Sequence, residues 1–161
     1  MGSGKSTVGK ELAKKLGYRF VDLDKMIEKK TDKTIDKIFQ KQGEEKFRVI
    51  EKKQLYETQK IYNAVISTGG GTPCFFDNMD WMNEHGATIY LKMPVGALFH
   101  RLGNSKVERP LLSGLSDVEL MEQIMTHLAK REPFYLKANH VMDGHDVRID
   151  KLVKLLKDQL K

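Results

Sequence analysis

The chain has almost no cysteine: Cys74 stands alone among 161 residues, so an intramolecular disulfide and a cysteine-rich metal site are both excluded. Its five histidines (His85, His100, His127, His140, His145) lack a ligating spacing such as H-E-x-x-H, which argues against protein-held zinc. No apolar run approaches the ~18 residues that a membrane-spanning helix needs. No charged lead, apolar stretch and small-residue cleavage site open the sequence, so no secretory signal is expected and the expected address is the cytoplasm. There is no internal repeat and no low-complexity linker, and the length suits one domain with a shared core.

Positive charge is abundant by contrast. A formal net charge of +6 and a pI near 9.3 favour an anionic partner, whether nucleic acid, membrane surface or small phosphates and carboxylates. The lysines are spread along helical faces among acids, as in "EKKTDKTIDK", rather than gathered in a basic block with stacking aromatics. Neither a dedicated nucleic-acid module nor a membrane partner is expected.

The periodicity alternates. "KSTVGKELAKKLG" sets Val8, Leu12 and Leu16 at i, i+4, i+8 before a stop at Gly17, an amphipathic helix. "YRFVDLD" is a short strand ending in Asp22 and Asp24, and alternation along it puts both carboxylates on one side. Helical stretches follow in "KMIEKK", "TIDKIFQKQG" and "EEKFRVIEKKQLYETQKI". "AVIST" is a buried-strand candidate closed by Gly69, Gly70 and Gly71. A helix "FDNMDWMNEHG" with Asp77 as N-cap, a strand "ATIYLKM" and a helix opened by Pro94 come next. Residues 103 to 115, "GNSKVERPLLSGL", lack periodicity and suggest a mobile segment. A helix capped by Ser116 follows, which Pro133 should bend or end, then a weak strand "HVMDG" and a final helix from Val147. Strands separated by crossover-length helices indicate an α/β fold with a central parallel sheet covered on both faces.

The opening "MGSGKST" carries the second half of the phosphate-loop pattern G-x-x-x-x-G-K-[ST], with the first glycine falling two positions before Met1. Backbone N–H groups at Gly2, Ser3 and Gly4 and the positive end of the following helix suit phosphate oxygens. Lys5 would reach the β and γ phosphates, Ser6 would offer its hydroxyl to Mg²⁺, and Thr7 would add an α-phosphate contact. The expectation is a fold whose first strand and first loop glycine are absent from this sequence.

Six separated motifs, "GSGKST", "DLD", "FRVIE", "STGGGTP", "RPLL" and "REPFY", together resemble the shikimate kinase family over nearly the whole chain. The resemblance implies a three-layer P-loop kinase fold of the nucleoside monophosphate kinase type, a lid at about 103–115, ATP as donor, Mg²⁺, and a single domain over 1–161 acting as a monomer. It implies that Arg48 and Arg131 bind the shikimate carboxylate, that Asp24 holds the acceptor hydroxyl, and that Gly69, Gly70 and Gly71 line the substrate, the N–H of the middle one, Gly70, meeting it. Glu51, one turn from Arg48, would hold the guanidinium in one rotamer. Asp22 would stand on the metal side with Ser6, Lys5 and Arg109 would act on the transferring phosphate, and Arg101 would stack on adenine. Three alternatives follow from the residues: a related kinase of a sugar acid such as gluconate, a nucleotide-binding module without catalysis, and an RNA-binding protein using the positive surface.

Overall fold

The computed structural model describes residues 2–103 and 115–159, so most of the aperiodic segment, with Arg109 and "RPLL", lies outside the described residues. Helix α1 (Lys5–Leu16) begins at Gly4, which takes a left-handed conformation, and ends at Gly17, another left-handed residue whose N–H closes the last turn. Strand β1 (Arg19–Asp22) leads into α2 (Leu23–Thr31), and α3 (Ile35–Glu57) follows. A single 3₁₀ turn at Thr58–Lys60 precedes β2 (Ala64–Ser67), and a second one at Thr72–Cys74 follows the glycines. Then come α4 (Asn78–His85), β3 (Ile89–Lys92), α5 (Val95–Gly103), α6 (Asp117–Tyr135), β4 (His140–Asp143) and α7 (Ile149–Gln159). This is the α/β alternation that the periodicity indicates.

Two local expectations are refined. Asp22 ends β1 with extended backbone and accepts from the Lys25 amide, so it caps α2, and Asp24 lies on the helix rather than one alternation along the strand. Pro133 marks the end of α6, as expected. It sits in the last turn, and the helix runs on to Tyr135. Asp77 precedes α4 without a capping bond, because its carboxylate takes Lys52 Nζ at 2.6 Å instead. Ser116, by contrast, caps α6 in full: its hydroxyl accepts from the Glu119 amide while Glu119 accepts from the Ser116 amide.

The strands pair in parallel, as expected of this α/β fold. Among the described residues β1 pairs in parallel with β2 (Arg19 opposite Ala64), and β3 pairs in parallel with β4 (Ile89 opposite His140). These are two separate ladders, and no described strand joins them. The core is divided correspondingly into Leu23, Ile27, Ile38, Phe47 and Leu55 beneath α2 and α3, Leu98, Leu102, Leu120 and Ile124 between α5 and α6, and Leu12, Leu152 and Leu156 between α1 and α7. Between the ladders lies a cavity of about 590 Å³, lined by Leu12, Val65, Ile66, Ile89, Leu91 and Leu152, with Lys5 at its rim. No helix among the described residues is long and apolar enough to cross a membrane.

Candidate active site

The phosphate loop comes first because its backbone dictates its chemistry. Gly2 and Gly4 have φ of 70° and 87°, values that side-chain-bearing residues rarely adopt. No acid stands in the first turn of α1 and no side chain caps it, so the amide end of the helix is offered to an anion. Ser6 and Thr7 are exposed on that first turn. Arg101, at the end of α5, donates to the Ser3 carbonyl at 3.2 Å, so in this structure it braces the phosphate loop.

Asp24 faces the same end of the molecule. It is half-buried, and its carboxyl is pushed above the ordinary range by burial first, then by the negative charges of Asp22 and Glu51; Lys5 pulls it partly back. Those neighbours place the acid of α2, the acid of β1 and the loop lysine in one electrostatic group. A carboxylate with raised proton affinity is a better acceptor for a hydroxyl proton.

Arg48 is the most constrained side chain here. It is 7% exposed, and its Nη1 donates to Glu51 Oε2 at 2.7 Å, while Nε and Nη2 both donate to Glu44 Oε1 at 3.2 and 2.9 Å. The guanidinium lies over the Phe75 ring, 4.2 Å from its centroid. Glu51, itself 1% exposed, uses its other oxygen to accept from Thr72 Oγ1 at 2.6 Å. One buried carboxylate thus joins α3 to the turn after the glycines. Gly71 packs so closely that a Cβ there would fall 2.5 Å from Arg48 Nη2, and a Cβ on Gly69 would fall 3.2 Å from Asp24 Oδ1. Close approach demands glycine at 71 and leaves little room for a side chain at 69.

Arg131 reaches the same region from α6. Its charge and that of Arg48 both act on the Cys74 thiol, which burial nevertheless raises, and on the Tyr135 phenol. The structure therefore brings Lys5, Asp22, Asp24, Arg48, Gly69 to Gly71 and Arg131 to one end of the molecule. Glu44, Thr72 and Tyr135 join them there without being singled out by sequence. Only the helical spacing of Glu44, four residues before Arg48, could have signalled the first.

For magnesium, the described residues contain no group of three or more acidic, histidine or cysteine side chains that could hold an ion unaided. Ser6 and Asp22 instead offer single oxygens, which suits a hard cation that keeps several waters and completes its shell on phosphate.

A glycine loop with its lysine, an aspartate of raised proton affinity and a buried arginine packed on Gly71 define a P-loop phosphotransferase for a small anionic acceptor. Comparison with known proteins narrows the class. A family model described as shikimate kinase matches residues 1–161. A shikimate kinase of Phocaeicola vulgatus is 44% identical over 161 residues, covering 100% of this chain and 92% of that protein. One from Parabacteroides distasonis is 51% identical over 144 residues, 89% of this chain and 83% of the relative. Among solved structures, shikimate kinase from Bacteroides thetaiotaomicron superposes with a TM-score of 0.91 at 43% identity, covering 99% of this chain and 93% of that one. Shikimate kinase from Acinetobacter baumannii, solved in complex with shikimate, gives 0.84 at 34% identity, covering 100% and 91%. The chain belongs to the shikimate kinase family.

Proposed function

We propose that this chain transfers the γ-phosphoryl group of ATP to a hydroxyl of shikimate, giving shikimate 3-phosphate, and that 1–161 works as one catalytic unit. The observation that carries the reading is Arg48: a guanidinium buried against Phe75, braced by Glu51 and pressed on Gly71, has been made rigid at the cost of desolvation. Among the described residues its outer Nε and Nη2 edge is hydrogen-bonded to Glu44, whose side chain is 55% exposed and can turn away. That edge matches an acceptor carboxylate bidentately, with Arg131 as the second cation.

In this reading Asp24 accepts a hydrogen bond from the acceptor hydroxyl and aims its oxygen at the γ-phosphorus. The new O–P bond forms as the bond to the β,γ-bridging oxygen breaks, ADP leaves, and the hydroxyl proton passes to Asp24. Lys5 and the amides of the loop hold the phosphates in line and stabilise the charge that spreads over them. Magnesium, held between Ser6, the Asp22 side and the phosphates, would neutralise that charge further. Arg109, by its motif, supplies a second cation to the γ-phosphate; Arg101, which braces the loop, is proposed to face the adenine side of the nucleotide.

A coupled ADP-release assay with shikimate and gluconate in parallel tests the acceptor. Turnover with shikimate is expected; turnover with gluconate alone would transfer the assignment to a sugar-acid kinase. Arg48→Ala should weaken shikimate binding and leave ATP binding intact, whereas Lys5→Ala should depress transfer. A second reading, nucleotide binding without turnover, is favoured by the cavity that reaches Lys5 at the base of the loop. Calorimetric ATP binding with no turnover would support it.

A further inference from the structure

Three consecutive glycines have more backbone freedom than any other tripeptide, yet a site that presents their amides must hold them still. The turn itself holds two of the carbonyls, Gly69 accepting from the Thr72 amide at 3.2 Å and Gly71 from the Cys74 amide at 2.8 Å, while the Gly70 carbonyl takes the Cys74 thiol at 3.9 Å and a shorter bond from Tyr135. Its hydroxyl donates to the Gly70 carbonyl at 2.6 Å, across 65 residues of sequence. The ring is half-buried against Tyr90, with centroids 5.1 Å apart, so the phenol approaches from a fixed direction. Burial also raises the Tyr135 phenol above its ordinary range, which keeps it a neutral donor through physiological pH.

The peptide bond is planar and trans, so the Gly70 carbonyl and the Gly71 N–H point in opposite directions along one rigid plane. Holding the carbonyl therefore sets the direction of the Gly71 amide and the ψ angle of Gly70. Tyr135 also stands one helical turn after Arg131 on α6. A single helix end thereby carries a proposed acceptor cation and the side chain that orients the glycine peptide. We infer that Tyr135 is a positioning residue for the acceptor, acting through the Gly70–Gly71 peptide and fixing its distance from Arg131. This rests on the acceptor reading given above.

The test is Tyr135→Phe, which keeps the ring and removes the hydroxyl, and with it both the donor to Gly70 and the hydrogen bond with Arg131, so the glycine exchange measured in the full chain decides which contact matters. The Michaelis constant for shikimate is expected to rise about five- to tenfold, with kcat and the constant for ATP little changed. Amide hydrogen exchange at residues 69–71, read by NMR without ligand, is expected to quicken, while the melting temperature moves little. Tyr90→Phe is the matched control: its hydroxyl bonds Glu132 at 3.3 Å, away from the glycines, and it should alter neither readout. Unchanged glycine exchange in Tyr135→Phe, or equal rises for both substrates, overturns the inference. Should the wild-type chain fail to phosphorylate shikimate, the acceptor reading falls, and the exchange measurement still decides whether Tyr135 holds the peptide.

Discussion

Arg48 and Asp24 show how single residues are set against their own stability. Glu44 occupies the edge of Arg48 that a substrate carboxylate would take, so binding must first displace it. Glu44 is itself exposed, so its carboxylate can return to water when another anion takes its place on Arg48. Glu44→Gln should therefore lower the Michaelis constant for shikimate by about two- to fivefold, leaving that for ATP unchanged, as steady-state kinetics would show. Asp24 has a raised proton affinity in the folded chain, caused by burial, Asp22 and Glu51. A group shifted this way supports folding fully below its unfolded pKa and loses that support as pH rises through the folded pKa. At neutral pH its charge is a burden. Asp24→Asn should raise the melting temperature at pH 7 to 8, with the gain disappearing toward pH 3, while phosphoryl transfer falls at least about a hundredfold.

At the scale of elements, α3 is two helices joined at Gly43, whose φ of 78° and ψ of 171° break the helical run just before Glu44. That break turns the second half, carrying Glu44, Arg48 and Glu51, toward the glycines. Nothing lies within 4 Å of a Cβ placed on Gly43, so the demand is purely one of backbone conformation. Gly43→Ala should cost about 1–3 kcal/mol in chemical denaturation and raise the Michaelis constant for shikimate more than that for ATP. The start of α6 offers a comparison remote from the chemistry. Removing the Ser116 hydroxyl in Ser116→Ala should cost about 1 kcal/mol with kinetics unchanged, since its bonds are confined to Glu119 and its own helix end.

For the molecule as a whole, the divided sheet is the dominant fact. The edges of β2 and β3 that face the cavity belong to ladders of parallel strands, and β2 is only half-buried along Ala64 to Ile66 although its sequence is apolar on both faces. Such a slot suits one extended strand. A five-residue peptide rich in valine and isoleucine, added in trans, should raise the melting temperature in a concentration-dependent manner. A peptide of alternating lysine and glutamate should not, and equal effects from both would refute a strand-shaped slot.

Local order was legible in the chain. Apolar spacing marks the helices, the interruption at Gly43 separates the two halves of α3, and Ser116 announces the start of α6, because capping and periodicity act over three or four residues. The chemistry of Lys5, Asp24, Arg48 and Arg131 was legible too, since phosphate and carboxylate demand those groups. What only the tertiary structure decided is which of them meet. Arg48 became a buried, doubly held cation because α3 packs on the turn of Thr72; Asp24 was placed on a helix because Asp22 caps it; Tyr135 found Gly70 from 65 residues away. These contacts are set by how helices pack around the two ladders. No short-range pattern encodes that, because the energies joining distant segments come from burial and close packing of the assembled chain.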